Sequence, residues 1–205
     1  MTRWTPPGKD CGACGIQDCN AFIISVVAGT KAYTDCPYYN PEQGVSHETA
    51  VFSGRDVLGN QYDFVLRAFP GEPSARKFIV PFRADLVEKW NIRAGDLVTG
   101  RPAGPGCPVY HALRVISVNM VTGVLECHTV GPLAARRKTP HDVQAYHVHA
   151  FEGLAETVTN PPMLGTRQRF LPGYCMMNLS HTAVVNMVLK KKDGIHVRLE
   201  DIRIL

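Results

Sequence analysis

No stretch of this chain is apolar enough to cross a membrane. The longest apolar run lies around residues 21–28, whereas a membrane-spanning helix needs about 20 residues. The segment from Met1 to Gly8 has no apolar core of the kind that a secretory signal peptide contains. We therefore expect no membrane span and a cytoplasmic location, where a reducing environment keeps thiols free.

The sequence also lacks the common catalytic and nucleotide-binding motifs. It contains no Gly-x-Ser-x-Gly, no P-loop, no Gly-x-Gly-x-x-Gly after a strand and no His-Glu-x-x-His. The segments Gly106-Cys107-Pro108 and Gly173-Tyr174-Cys175 are settings for a nucleophile, but the sequence identifies no paired base. Enzymatic activity therefore stays open, and a non-catalytic role is favoured.

Cysteine is abundant, and its pattern organises the chain. Four of the seven cysteines follow the spacing C-x2-C-x4-C-x16-C, at Cys11, Cys14, Cys19 and Cys36. Four thiolates can bind a zinc ion or an iron–sulfur cluster, and the other alternative is that these cysteines bind no metal. Glycines follow the first two cysteines and allow tight turns that bring amide groups close to inorganic sulfide. Zinc sites usually pair two short knuckles, and the absence of a second knuckle favours the cluster.

A helix is predicted between the third and fourth of these cysteines. Asp18 is a suitable N-cap, residues 19–28 can form helical turns, and Gly29 suits the position after the C-cap. Four apolar residues share one stripe of this helix and are predicted to shield the cluster from water: Phe22, Ile23, Val26 and Val27.

The pattern Cys11-Gly12-x-Cys14-Gly15-x3-Cys19-x2-Phe22, with Gly29 and Cys36-Pro37, resembles a known small domain. It is similar to the [4Fe-4S] domain of corrinoid iron–sulfur proteins and of the iron–sulfur subunit of ion-pumping ferredoxin oxidoreductases. The resemblance implies a low-potential [4Fe-4S] cluster that passes single electrons in anaerobic metabolism. No corrinoid-binding domain follows in this chain, so the partner is not implied.

The rest of the chain predicts a mainly β structure after a linker at residues 38–48. Strands are predicted at 49–54, 61–69, 77–82, 96–101, 110–118 and 124–130, with a helix at 84–90 and a C-terminal hairpin around Asp193-Gly194. Residues 131–170 give no clear pattern. We therefore predict an α+β fold, in which a small helical [4Fe-4S] domain (1–40) precedes a mainly β, OB-like small barrel domain (49–205).

Residues 62–118 resemble the RNA-binding OB-fold of transcription termination factor Rho. The resemblance rests on Phe64-Val-Leu-Arg67, on Phe78-Ile-Val-Pro81, on Arg93-x-Gly95-Asp96-x-Val98-x-Gly100 and on the segment that starts at Tyr110. It implies that Tyr110 and Phe64 stack on bases. The loop from Gly104 to Pro108 carries no charge where that family has it, which weakens this implication.

Other groups of polar residues leave further sites open. Each remaining cysteine has a histidine near it in sequence, so Cys107, Cys127 and Cys175 are either buried thiols or part of a second metal site. His147 and His149 would share one face of a strand, as a solvated pair or as a metal or flavin-phosphate contact. Two basic runs, residues 136–138 and 190–192, suit either a solvated turn or the docking of an acidic partner.

Three functions fit this sequence, and one is favoured. The first is a [4Fe-4S] electron-transfer or accessory redox subunit that serves a larger redox enzyme or methyltransferase complex. The second is a redox-sensing nucleic-acid-binding protein, and the third is a self-contained reductase with a flavin or second metal. The formal net charge of +4 would be offset by about two charges when a cluster binds. Charge therefore gives little support to a nucleic-acid partner, and we favour the first function.

Overall fold

The computed structural model describes residues 6, 8, 10–39, 52–131, 134–135, 139–175 and 177–204. These residues form two α-helices, a short 3-10 helix (Tyr33–Asp35) and nine strands. The helices are α1 (Cys19–Val27) and α2 (Asp85–Lys89). The strands are β1 (Phe64–Arg67), β2 (Arg76–Pro81), β3 (Leu97–Ala103), β4 (His111–Asn119), β5 (Val124–Val130), β6 (His141–Thr157), β7 (Arg167–Pro172), β8 (His181–Lys191) and β9 (Gly194–Arg203).

All nine strands belong to one sheet, and β6 is its central member. The order is β1-β7-β8-β9-β6-β2-β5-β4-β3, and both ends of this series also pair with β6. Because β6 is 17 residues long, its first part pairs with β2 and β3, and its second part pairs with β9 and β1. The pairings therefore close two rings that share β6.

Each ring surrounds its own apolar core. One core is built around Phe64, Phe151 and Phe170, and the other around Ile79, Leu113 and Tyr146. Val148 on β6 packs against both cores. Burial of each large apolar side chain stabilises the fold by about 1.5–3 kcal/mol. These two cores hold the sheet together without any residue of the cysteine-rich segment.

The predicted fold class, α+β with a small helical domain and a small OB-like barrel, is wrong. The described chain is mostly β, and its strands form a single nine-stranded sheet. The reason lies in residues 131–170, which supply β6 and most of β7. Strand β6 joins the middle of the chain to the C-terminal hairpin, so the hairpin belongs to the same sheet as β2 to β5.

Most of the individual elements are confirmed. The predicted strands at 61–69, 77–82, 96–101, 110–118 and 124–130 correspond to β1 to β5, and the predicted helix corresponds to α2. The hairpin forms as β8 and β9, with Gly194 at the turn. The strand at 49–54 does not form over residues 52–54, and residues 49–51 lie outside the described residues. None of the described helices has the length and apolarity to cross a membrane.

Candidate metal centre

The structure places the four cysteines of the N-terminal pattern around one small cavity. Cys11, Cys14, Cys19 and Cys36 all line it, together with Phe22 and Tyr38. The chain returns to the cavity through α1 and the 3-10 helix that ends at Asp35. The long gap before the fourth cysteine is therefore a structured connection, as the sequence predicted. The boundary predicted between domains 1–40 and 49–205 falls on residues that the structure does not describe.

Two carboxylates fix the start of α1, whose first residue is Cys19. The Asp18 carboxylate accepts a hydrogen bond from the amide of Ala21 at 2.7 Å, which confirms Asp18 as the N-cap. The Asp10 carboxylate accepts a hydrogen bond from the amide of Cys19 at 2.9 Å. These bonds satisfy two of the amides that a helix N-terminus leaves free. Asp10 was not identified from the sequence, because its partner lies nine positions away.

The glycines that follow the first two cysteines form tight turns, as expected from the sequence. Gly12 has a φ of 68° and Gly15 a φ of 80°, both in the left-handed region that other residues rarely adopt. The amide of Gly15 donates a hydrogen bond to the carbonyl oxygen of Gly12 at 2.9 Å, which closes a tight turn around Cys14. Gly29 also has a positive φ of 73°, at the predicted position after the C-cap.

The apolar stripe of α1 covers the cavity only in part. Phe22 is fully buried and lines the cavity, as predicted. Ile23 and Val26 are half-buried, whereas Val27 is 61% exposed. The prediction that the whole stripe shields the site is therefore wrong for Val27, which lies at the last position of the helix.

Electrostatics at this cavity disfavour free thiolates and suit a bound cationic metal centre. Burial raises the pKa of Cys19 to about 11, while the amide of Asp10 acts in the opposite direction. Burial also raises the pKa of Cys36, and charge on Cys14 and Cys11 adds to that effect. Metal coordination removes this penalty because a bound metal deprotonates its thiol ligands. Within the described ranges, no three Cys, His, Asp or Glu side chains lie close enough together to hold a single metal ion.

The cysteine segment packs directly on the sheet. The Arg114 guanidinium on β4 lies 3.7 Å from the Asp10 carboxylate. At Gly131, just after β5, a Cβ atom would lie 2.4 Å from the carbonyl oxygen of Asp10 and 2.6 Å from the Cα of Cys11. A side chain at this position has no space, so Gly131 allows the close approach of the two backbones.

Gly131→Ala is expected to loosen the metal centre. The added methyl group must displace the backbone of Asp10 and Cys11, and overpacking of this kind typically costs about 1–3 kcal/mol. We expect iron to be lost to a chelator several-fold faster than from the wild-type protein. Gly153→Ala is the matched control, because its Cβ would lie 2.2 Å from the carbonyl oxygen of Arg67, within the sheet. This control should lower the melting temperature without faster iron loss, and equal iron loss from Gly131→Ala and wild type would contradict the prediction.

The residues that would bind nucleic acid are poorly placed for it. Phe64 is fully buried in the core, so its predicted stacking on bases is excluded. Tyr110 is 51% exposed, but its hydroxyl donates a hydrogen bond to Asp142.

The other histidines, cysteines and basic residues noted in the sequence are mostly exposed to solvent or lie apart from one another. His147 and His149 are both exposed, as expected for a solvated pair, and the basic run 190–192 lies on the exposed β8–β9 turn. The basic run 136–138 lies outside the described residues. Of the three remaining cysteines, Cys127 is fully buried, and His128 contacts Glu72 at 3.2 Å. Among the residues that are described, only Cys107 contacts its neighbouring histidine.

Comparison with known proteins supports the assignment of the N-terminal segment. Residues 7–38 match the model of a family described as "Putative Fe-S cluster". The chain is also 28% identical over 213 residues to "Uncharacterized protein MJ0119" of Methanocaldococcus jannaschii, across 94% of this chain and 90% of the relative. No solved structure matches the chain. The N-terminal segment is an iron–sulfur domain, and the chain is an iron–sulfur protein.

Proposed function

We propose that this protein is a [4Fe-4S] electron-transfer protein or accessory redox subunit that serves a larger enzyme of anaerobic metabolism. The observation that carries the proposal is the position of Cys11, Cys14, Cys19 and Cys36 around one cavity, inside the segment that matches an iron–sulfur family. These four cysteines are the proposed ligands. When bound, a [4Fe-4S] cluster supplies the uptake and release of a single electron.

The setting of the cavity supports a role in electron transfer. Cys36 is buried, whereas Cys11, Cys14 and Cys19 are half-buried. The proposed cluster therefore has one side against the protein and one side near the surface, where a partner can approach. Phe22 excludes water on the inner side, and solvent exposure is one of the factors that set the reduction potential of a cluster. A cytoplasmic location is part of the proposal because a reducing compartment keeps the ligand thiols free.

Anaerobically purified protein is expected to contain about four irons and four sulfides per chain. On reduction with a strong low-potential reductant, it should give the electron paramagnetic resonance signal of a [4Fe-4S]⁺ centre. Integration of that signal tests the transfer of a single electron. Stoichiometric zinc without sulfide in a strictly anoxic preparation would overturn the proposal.

The partner is tested by an anaerobic pull-down from the native host. A larger redox enzyme or methyltransferase complex that accepts electrons from the reduced protein in a reconstituted assay supports the proposed function. Nuclease-sensitive material in place of a protein partner would favour a nucleic-acid-binding role.

A further inference from the structure

Cys107 lies in a well-defined loop between β3 and β4. Gly104 and Gly106 have φ values of 89° and 87°, which only glycine adopts without strain. The carbonyl oxygen of Pro105 accepts a hydrogen bond from the amide of Ile204 at 2.6 Å, so the loop is attached to the end of β9. Cys107 itself is half-buried, between two exposed neighbours. Its thiol is therefore held in place by the loop and remains accessible.

A histidine lies next to this thiol, and a tyrosine lies behind the histidine. The Nε2 atom of His111 is 3.9 Å from the Sγ atom of Cys107. The Nδ1 atom of the same ring is 2.8 Å from the hydroxyl of Tyr146, which is fully buried on β6. A nucleophile, a base and a third group that orients the base form the arrangement typical of an activated nucleophile. Distances between nucleophile and base are often long before substrate binds.

The sheet is built so that Tyr146 reaches His111. Gly100 on β3 is the register partner of His111 on β4. A Cβ atom at Gly100 would lie 3.1 Å from the Cδ1 atom of Tyr146, closer than an ordinary contact. The absence of a side chain at Gly100 therefore leaves room for the Tyr146 ring beside β3.

Burial and nearby positive charge keep the histidine neutral. Burial, together with the positive charges of Lys77 and His181, lowers the pKa of His111. The imidazole is therefore neutral near pH 7, and one of the two ring nitrogens of a neutral imidazole can accept a proton. Lys77 is buried, and among the nearby thiols Cys107 has the largest effect on the pKa of its ammonium group. Lys77 is therefore available to compensate negative charge that develops on sulfur during a reaction.

We propose that Cys107 is a nucleophilic thiol that exchanges with small disulfides, with His111 as its base and Tyr146 as the residue that positions His111. The sulfur of Cys107 attacks one sulfur of the disulfide, and a new S–S bond forms as the original one breaks. The proton of Cys107 passes to Nε2 of His111 and then to the leaving thiolate, which departs as a thiol. Cys107 is oxidised to a mixed disulfide, and half of the substrate is reduced.

A disulfide is the proposed substrate because its exchange with a thiol needs no catalytic groups other than those already described. Its leaving group is a thiolate, which the same His111 protonates and the same Lys77 charge stabilises. The proposal is independent of electron transfer by the cluster, so each can fail without the other.

The test uses the full-length protein with its cluster, under anaerobic conditions, and 2,2′-dipyridyl disulfide as the probe. Release of pyridine-2-thione is followed by stopped-flow absorbance, while the visible absorbance of the cluster reports its integrity. We expect a fast phase that Cys107→Ser removes and that leaves the cluster absorbance unchanged. Cys175→Ser is the matched control, because Cys175 is also half-buried and near Lys77 but has no described histidine contact. It should retain the fast phase.

The roles of His111 and Tyr146 are tested by His111→Gln and Tyr146→Phe. A general base typically contributes about 10²–10⁴-fold, so His111→Gln should slow the fast phase at least about tenfold at neutral pH. Tyr146→Phe should slow it less, by about threefold or more on the same basis. At about pH 10, above the ordinary thiol pKa of about 8.5, both variants should approach the wild-type rate because the thiol ionises without a base. A merely structural defect would not be corrected at high pH.

Three results would overturn the proposal. The first is a fast phase that persists in Cys107→Ser. The second is a wild-type rate for His111→Gln at neutral pH in a variant whose circular dichroism is native. The third is a deficit in Tyr146→Phe that is the same at every pH.

Discussion

Cys14→Ala or Cys19→Ala is expected to lower the iron and sulfide of anaerobically purified protein from about four each per chain to nearly none. Both thiols line the cavity, and Cys19 is held at the first turn of α1 by the Asp10 carboxylate. Three remaining thiolates leave one iron without its protein ligand. The sheet should stay folded, because its two main cores contain no residue of the cysteine segment.

Iron and sulfide analysis and far-UV circular dichroism measure the two parts of this prediction. Cys107→Ser, Cys127→Ala and Cys175→Ser are the controls, since these thiols lie outside the cavity that the four proposed ligands share. They should retain the full iron content. If one of them loses as much iron as Cys14→Ala does, the proposed ligand set is wrong.

Lys77→Met is expected to raise the free energy of unfolding by about 3 kcal/mol at pH 7, taking about 1.36 kcal/mol per unit of pKa shift. Lys77 is only 3% exposed, and its ammonium group lies 5.3 Å from the centre of the Phe151 ring. Burial lowers its pKa from 10.5 to about 8, although the nearby thiols of Cys107, Cys175 and Cys127 partly oppose this. The charged form is therefore destabilised in the folded protein.

The sign of the pH dependence follows from this lowered pKa. Below about pH 8 the side chain is charged in both the folded and the unfolded state, so folding carries the whole penalty. Between about pH 8 and about pH 10.5 the folded protein has already released the proton that the unfolded chain still binds, so the penalty decreases as pH rises. Above that range the advantage of Lys77→Met should disappear.

Urea denaturation at pH 7 and at about pH 10, followed by far-UV circular dichroism, measures this difference. Lys77→Arg is the matched control, because the guanidinium group keeps its charge across this range and should destabilise the fold at both pH values. A Lys77→Met variant that is less stable than wild type at pH 7 would contradict the prediction. So would a gain in stability that does not change with pH.

The iron–sulfur segment could be predicted from sequence because its determinants are local. The first three cysteines, the positive-φ positions Gly12 and Gly15, and the cap at Asp18 all lie within a few residues of one another. The hairpin of β8 and β9 is local for the same reason, since its turn sets the register of both strands. Structure that depends only on neighbouring residues could therefore be predicted from the sequence.

Strand β6 depends on pairing between distant parts of the chain. A strand that is half-buried alternates in polarity, and that alternation identifies it in a sequence. In β6 the alternation is interrupted, because Gln144 has a φ of 61° and the register with β2 and β3 shifts along the strand. Since β6 also changes its neighbours along its length, no single pattern describes it, and the fold class could not be predicted.

The positions and burial of the polar groups inside the sheet depend on the same pairing of distant strands. Cys107 and His111 are four positions apart in sequence, but Tyr146 reaches His111 only because β6 pairs with β3, and β3 with β4. Lys77 occupies one of the buried positions of β2, which alternate with half-buried ones. Its burial results from its register partners Cys127 on β5 and Phe151 on β6. The local sequence predicted the iron–sulfur segment and most of the strands. The pairing of distant strands determines which polar side chains are buried, because only that pairing brings residues that are distant in sequence next to one another.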